Sequence, residues 1–114
     1  MTIIAVIGSR SFNNYDLLKN TLNSNYVDIE QIVSGGANGA DKLVEKYCRE
    51  YNININIYYP EWNLYGKAAG PIRNEKIIRN CDEVVAFWDG ISPGTKSSIN
   101  FAKKFNKPCR IIYY

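Results

Sequence analysis

The 114-residue chain has room for one domain and little more. Its 46% hydrophobic and 22% charged content excludes an intrinsically disordered chain, and a net charge of +3 is too mild to mark a general nucleic-acid binder. The longest apolar runs, Ile3–Ile7 and Val84–Trp88, reach strand length but not the roughly 20 residues of a membrane span, and no secretory leader pattern opens the chain. A cytoplasmic location without membrane partners is expected.

The predicted elements alternate between short apolar runs and amphipathic segments. Thr2–Ile7 reads as a buried strand, left through Gly8-Ser9-Arg10-Ser11-Phe12; Tyr15, Leu18 and Leu22 then share one helix face. A second strand begins at Gln31–Val33 and ends at Ser34-Gly35-Gly36, before a helix carrying Ala40, Leu43, Val44 and Tyr47 at i, i+3, i+4, i+7 spacing. Asn52–Tyr59 alternates Asn with Ile and reads as an edge strand with one solvated face. A long loop is expected over 60–71, then a helix turning Ile77, Ile78 and Cys81 inward. Glu83–Trp88 is the fourth strand, residues 89–95 its exit loop, Ile99, Ala102 and Phe105 the core face of the last helix, and Pro108–Tyr113 the fifth strand. Strands alternating with helices imply right-handed crossovers. The expected fold is a single Rossmann-like α/β domain over residues 1–114, with about five mostly parallel strands and helices on both faces.

Cys48, Cys81 and Cys109 lack a CxxC spacing, and the chain has no histidine. The cysteines therefore read as small core residues, no metal site or cofactor is expected, and every His-based catalytic arrangement is excluded. Glycine placement is more informative. With Gly66 set aside, the remaining seven glycines fall where a strand hands over to a helix. At that edge of an α/β sheet, backbone amides and helix N-termini receive anions. Three such loops are expected to converge: Gly8-Ser9-Arg10-Ser11; Ser34-Gly35-Gly36-Ala37-Asn38-Gly39-Ala40-Asp41; and Gly90-Ile91-Ser92-Pro93-Gly94-Thr95. There is no GxxxxGKS/T motif, and Gly8-Ser9-Arg10 lacks the second and third glycines of a dinucleotide fingerprint, so neither a P-loop NTPase nor an ordinary NAD dehydrogenase fits.

Trp62 and Tyr65 in the long loop offer a stacking face for a base. Arg73, expected to start a helix, offers a forked cation for phosphate or carboxylate. Asp41 would repel a phosphate, so it is expected to cap loop amides or to bond a ribose hydroxyl. Asp89 is expected to bind a sugar or orient Arg10.

Four ordered segments resemble the SLOG superfamily, and within it the YspA and cpYpsA-related branch. They are Gly8-Ser9-Arg10, Ser34 through Asp41, Gly70-Pro71-Ile72-Arg73-Asn74, and Trp88-Asp89-Gly90 through Gly94-Thr95. The resemblance implies a Rossmann-like fold that senses or processes nucleotide-derived ligands, often in prokaryotic or phage conflict systems. More distantly, residues 90–98 are similar to the Pro-Gly-Gly-x-Gly-Thr-x-x-Glu motif of the Lonely Guy phosphoribohydrolases. Gly94 and Thr95 match it, whereas Ser98 stands at the position of the catalytic glutamate. Glu61 stands where the closer relatives carry Asp.

These readings together predict a pocket for a small-molecule nucleotide derivative, in a sensor or sequestering protein that forms homo-oligomers. Gly8, Ser9, Arg10, Ser34, Gly35, Gly36, Asn38, Gly39, Asp41, Glu61, Trp62, Gly70, Arg73, Asn74, Asp89, Gly90, Gly94 and Thr95 are its expected ligand contacts. The first alternative is a nucleotide N-glycosidase, with Glu61, Arg73 and Asp89 as catalytic candidates. A DNA-binding module is the second, and nucleic acid is the less expected partner.

Overall fold

The computed structural model describes residues 2–114. Five strands form one sheet: β1 (Thr2–Gly8), β2 (Ile29–Ser34), β3 (Asn54–Ile57), β4 (Glu83–Trp88) and β5 (Cys109–Tyr113). Their order is β3-β2-β1-β4-β5, and all four neighbouring pairs are parallel. The helices are α1 (Tyr15–Asn25), α2 (Ala40–Tyr51), the single turn α3 (Trp62–Tyr65), α4 (Ala69–Arg79) and α5 (Pro93–Lys104).

Side chains alternate across a strand, so continuous apolar runs supply two core layers at once. Ile4, Val6, Val85 and Phe87 point to the face covered by α1 and α2, where Leu18, Leu22, Val44 and Tyr47 meet them. Ala5, Ile7, Val84 and Ala86 point to the opposite face, under Ile77 and Ile78 of α4 and Ile99 and Ala102 of α5. The Rossmann-like α/β architecture is thus present, with helices on both faces of a wholly parallel sheet. No helix of the described residues is long and apolar enough to cross a membrane.

Three local expectations need correction. The third strand is confined to Asn54–Ile57. Asn52 instead adopts the left-handed conformation (φ 55°) that ends α2, and the Ile53 amide donates to the Cys48 carbonyl at 2.9 Å. The segment 60–71 is not a long loop: α3, a 3₁₀ turn at Gly66–Ala68 and the start of α4 fill it. Pro71 sits in the first turn of α4, where its missing N–H costs no helical hydrogen bond. Likewise α5 begins at Pro93, so Gly94 and Thr95 are first-turn residues and not part of an exit loop.

The chain runs outward from β1 through β2 to β3, then crosses back to place β4 on the other side of β1. The order reverses between β1 and β4, and a crevice opens beyond their carboxyl ends.

Candidate functional site

A cavity of about 520 Å³ occupies that crevice. β1 delivers Ile7, Gly8 and Ser9 to it, with Arg10 and Ser11 following. The turn is pinned to β4: the Ser9 amide donates to the Phe87 carbonyl at 2.9 Å, and the Asp89 amide donates to Ser9 Oγ at 3.2 Å. Phe12 stacks on Phe87 with ring centroids 4.7 Å apart. This buried aromatic anchor lets Arg10 and Ser11 stay exposed at the rim.

The loop after β2 supplies Gly35 and Ala37, and the first turn of α2 supplies Asp41. Gly39 has φ 79°, and a Cβ there would lie 2.3 Å from the Ser9 carbonyl oxygen, so glycine alone lets this turn pack against the β1 turn. Gly35 is needed for a different reason. A Cβ would lie 2.6 Å from Arg73 Nη1, and the Gly35 carbonyl accepts from that same nitrogen at 2.7 Å.

α4 projects Arg73, Asn74 and Ile77 from one face, at i, i+1, i+4. Arg73 Nε donates to Asn74 Oδ1 at 2.8 Å, and Nη1 also reaches the Tyr58 carbonyl at 3.4 Å. Among the described residues Nη2 has no acceptor, so one amino group of the guanidinium is uncommitted while the rest of its fork holds the loops. Burial lowers the Arg73 pKa first, and nearby Arg10 lowers it further, against the opposing pull of Asp41.

The remaining wall is the start of α5. Asp89 Oδ1 accepts from the Ile91 and Ser92 amides at 2.9 and 2.7 Å, and its Oδ2 accepts from Ser92 Oγ at 2.7 Å. These bonds to the ionised form, the Ser92 amide first, hold the carboxyl down at about 2. The helical ladder starts with the Lys96 amide donating to the Ser92 carbonyl at 3.2 Å, so the Gly94 and Thr95 amides precede it. They stand at the positive end of the helix dipole, beside the cavity.

Asp41 is the unusual member. It is 6% exposed, its Oδ2 accepts from the Ala37 amide at 3.0 Å, and its Oδ1 is buried with no well-formed hydrogen bond among the described residues. Burial pushes its pKa up to about 6; the Ala37 amide and then the Arg73 charge pull the other way and only partly offset it. Ser34 Oγ, fully buried at the end of β2, makes no well-aligned hydrogen bond among the described residues but lies near enough to Asp41 to pull its pKa down as well, as does the Gly35 amide.

Of the expected contacts, Gly8, Ser9, Arg10, Gly35, Asp41, Arg73, Asn74, Asp89, Gly94 and Thr95 line this one cavity. Ser34, Gly36, Asn38 and Gly39 shape the β2 loop without lining it, and Gly90 lies on the exposed turn before α5. Glu61, Trp62 and Gly70 are not brought to it. Glu61 pairs with Lys76 at 3.6 Å, Trp62 is 56% exposed, and Gly70 is helical. Asp89 caps its own loop and makes no bond to Arg10. Outside the three turns that the sequence singled out, Ile7, Ile77 and Ser98 also line the wall, and sequence reasoning missed them. Helical spacing carried the signal for two of them, because Ile77 lies one turn beyond Arg73 and Ser98 one turn beyond Thr95. Ser98, 3% exposed, places a hydroxyl where the phosphoribohydrolase motif has its carboxylate.

Two comparisons bear on what this arrangement is. The chain is 31% identical over 83 residues to the Gene 61 protein of Mycobacterium phage D29, an alignment covering 68% of this chain and 66% of the phage protein. The family model described as YspA, cpYpsA-related SLOG family matches residues 2–65, which take in β1, β2, both of their glycine turns and Asp41. With more than half its length under that model, the chain belongs to the YspA, cpYpsA-related SLOG family.

Proposed function

We propose that the protein binds a phosphate-bearing nucleotide or nucleotide derivative in the cavity at the switch point, acting as a sensor or sequestering protein. An ADP-ribose-type or cyclic nucleotide signal falls within this class. In this reading the phosphate sits against the Gly94 and Thr95 amides and the Ser9 and Thr95 hydroxyls. Arg10 and the Nη2 group of Arg73 neutralise it. Asp41 Oδ1 accepts a sugar hydroxyl, and Ile7 and Ile77 offer apolar floor.

The observation that carries the reading is that two guanidinium groups meet the unbonded first-turn amides of α5 at one rim of the sheet. Family membership supports a nucleotide-related role. Calorimetry with AMP and ADP tests it. Arg73→Ala should weaken binding by roughly 1.5–3 kcal/mol, as expected for a lost charge-assisted hydrogen bond. Arg10→Ala, at an exposed residue whose side chain makes no hydrogen bond among the described residues, should weaken it without touching the fold. Unchanged affinity in both variants would reject the phosphate site.

One observation favours a second reading, cleavage of a nucleotide N-glycosidic bond. A buried carboxyl near 6 facing a cavity suits general acid–base work, whereas Asp89 is locked in the ionised form and Glu61 lies elsewhere. Free base released from nucleoside monophosphates, and lost in Asp41→Asn, would establish it. Homo-oligomerisation belongs to the same proposal. Trp62 and Leu64, 56% and 65% exposed, are apolar side chains that a second copy could cover, and sedimentation of Leu64→Glu would show it.

A further inference from the structure

A second hollow of about 170 Å³ lies beyond the end of β3, and Arg73 borders both it and the main cavity. Tyr59, Tyr65, Ile57 and Ile72 line it together with Glu61, which is paired with Lys76. The partition between the hollows is thin. On one side Gly35 lines the main cavity and holds Arg73 Nη1; on the other, a Cβ on Gly36 would lie 2.7 Å from the Tyr59 ring and 2.9 Å from Ile57. Two glycine residues and one guanidinium therefore separate a polar, cationic chamber from a small tyrosine-lined one. Both tyrosines stay substantially exposed, 63% for Tyr59 and 40% for Tyr65, so their rings are not consumed by the core.

The geometry points to a two-ended ligand, a nucleotide whose phosphates pass Arg73 and join a second nucleoside with its base between Tyr59 and Tyr65. The inference rests on the nucleotide reading above and narrows it. A flat ring is what two tyrosines and two aliphatic side chains accept, since every base has a π-face to stack. Glu61, outside the main cavity, gains a role as an acceptor for the hydroxyls of the second sugar. Arg73, whose guanidinium is wedged between the hollows, is where linking phosphates would pass from one to the other.

The test compares ADP with P1,P2-diadenosine diphosphate by calorimetry on the full chain. The two share their phosphates and first nucleoside and differ in the second adenosine. The dinucleotide should bind at least tenfold more tightly. Tyr65→Ala should erase most of that gain while leaving ADP affinity within twofold, and Tyr65→Phe should keep it. Equal affinity for the two ligands, or a Tyr65→Ala loss shared equally by both, overturns the inference and leaves the single-nucleotide site standing. If neither ligand binds, the nucleotide reading falls and takes this inference with it.

Discussion

Asp41 concentrates the energetics of the site in one carboxyl. Its pKa rises from an ordinary 3.8 to about 6, so between those values the unfolded chain has released a proton that the folded one still holds. Stability must therefore fall as pH climbs through that window, by up to about 3 kcal/mol, and stay at the lower level above it. Asp41→Asn, neutral at every pH, should match the wild type at pH 4 and exceed it at pH 7.5 in urea unfolding. A variant weaker than wild type at both pH values would show that the carboxylate is stabilising and the account wrong. The residue was visible in the sequence as a polar group beside a glycine turn, but its depth was not. That depth comes from α4 laying Arg73 over the β2 loop, a contact between residues 38 positions apart. The same packing explains why the Arg73 fork, expected at the start of a helix but found in the second turn of α4, is mostly committed to carbonyls.

At the scale of elements, Asp89 ties the end of β4 to the start of α5 with three acceptor bonds. A carboxyl held at about 2 contributes stability that is present above its unfolded value and lost as pH drops through the folded one. Asp89→Asn should accordingly blunt the loss of thermal stability between pH 4 and pH 2. Equal acid limbs for variant and wild type would remove the carboxylate from the account. β1 and β4 were legible because both faces of each are buried, which writes an unbroken apolar run. The region after β3 was not. Gly66, Gly70 and Pro71 are loop signals, yet Pro71 falls in a helical first turn, the one helical setting in which proline does not break the ladder. The edge position of β3 could be read from its alternating asparagines, but its true length could not, because Asn52 is claimed by the end of α2.

For the whole molecule, the telling event is the return of the chain across β1 after β3. Local periodicity announces βαβ units but does not say on which side of the sheet the next strand will land, so the expected convergence of three turns depended on topology. In the structure, residues from all three turns border one cavity. A ligand that binds there and not to the unfolded chain should raise the melting temperature. At a hundred times its dissociation constant it adds about 2.7 kcal/mol, which for a chain of this size is roughly 10 °C. Thermal melts with ADP at millimolar concentration would show it, and a flat response would set Kd above that range. The two-layer core has another consequence, carried by its thiols. Cys48 lies in the layer beneath α2 and Cys81 in the layer beneath α4, both nearly sealed from solvent and pushed by burial up to about 12 and 11. Each is inert to iodoacetamide until its own layer parts. Pulsed alkylation followed by mass spectrometry thus reads the opening of each side of the sheet separately, from the native sequence and without any introduced label.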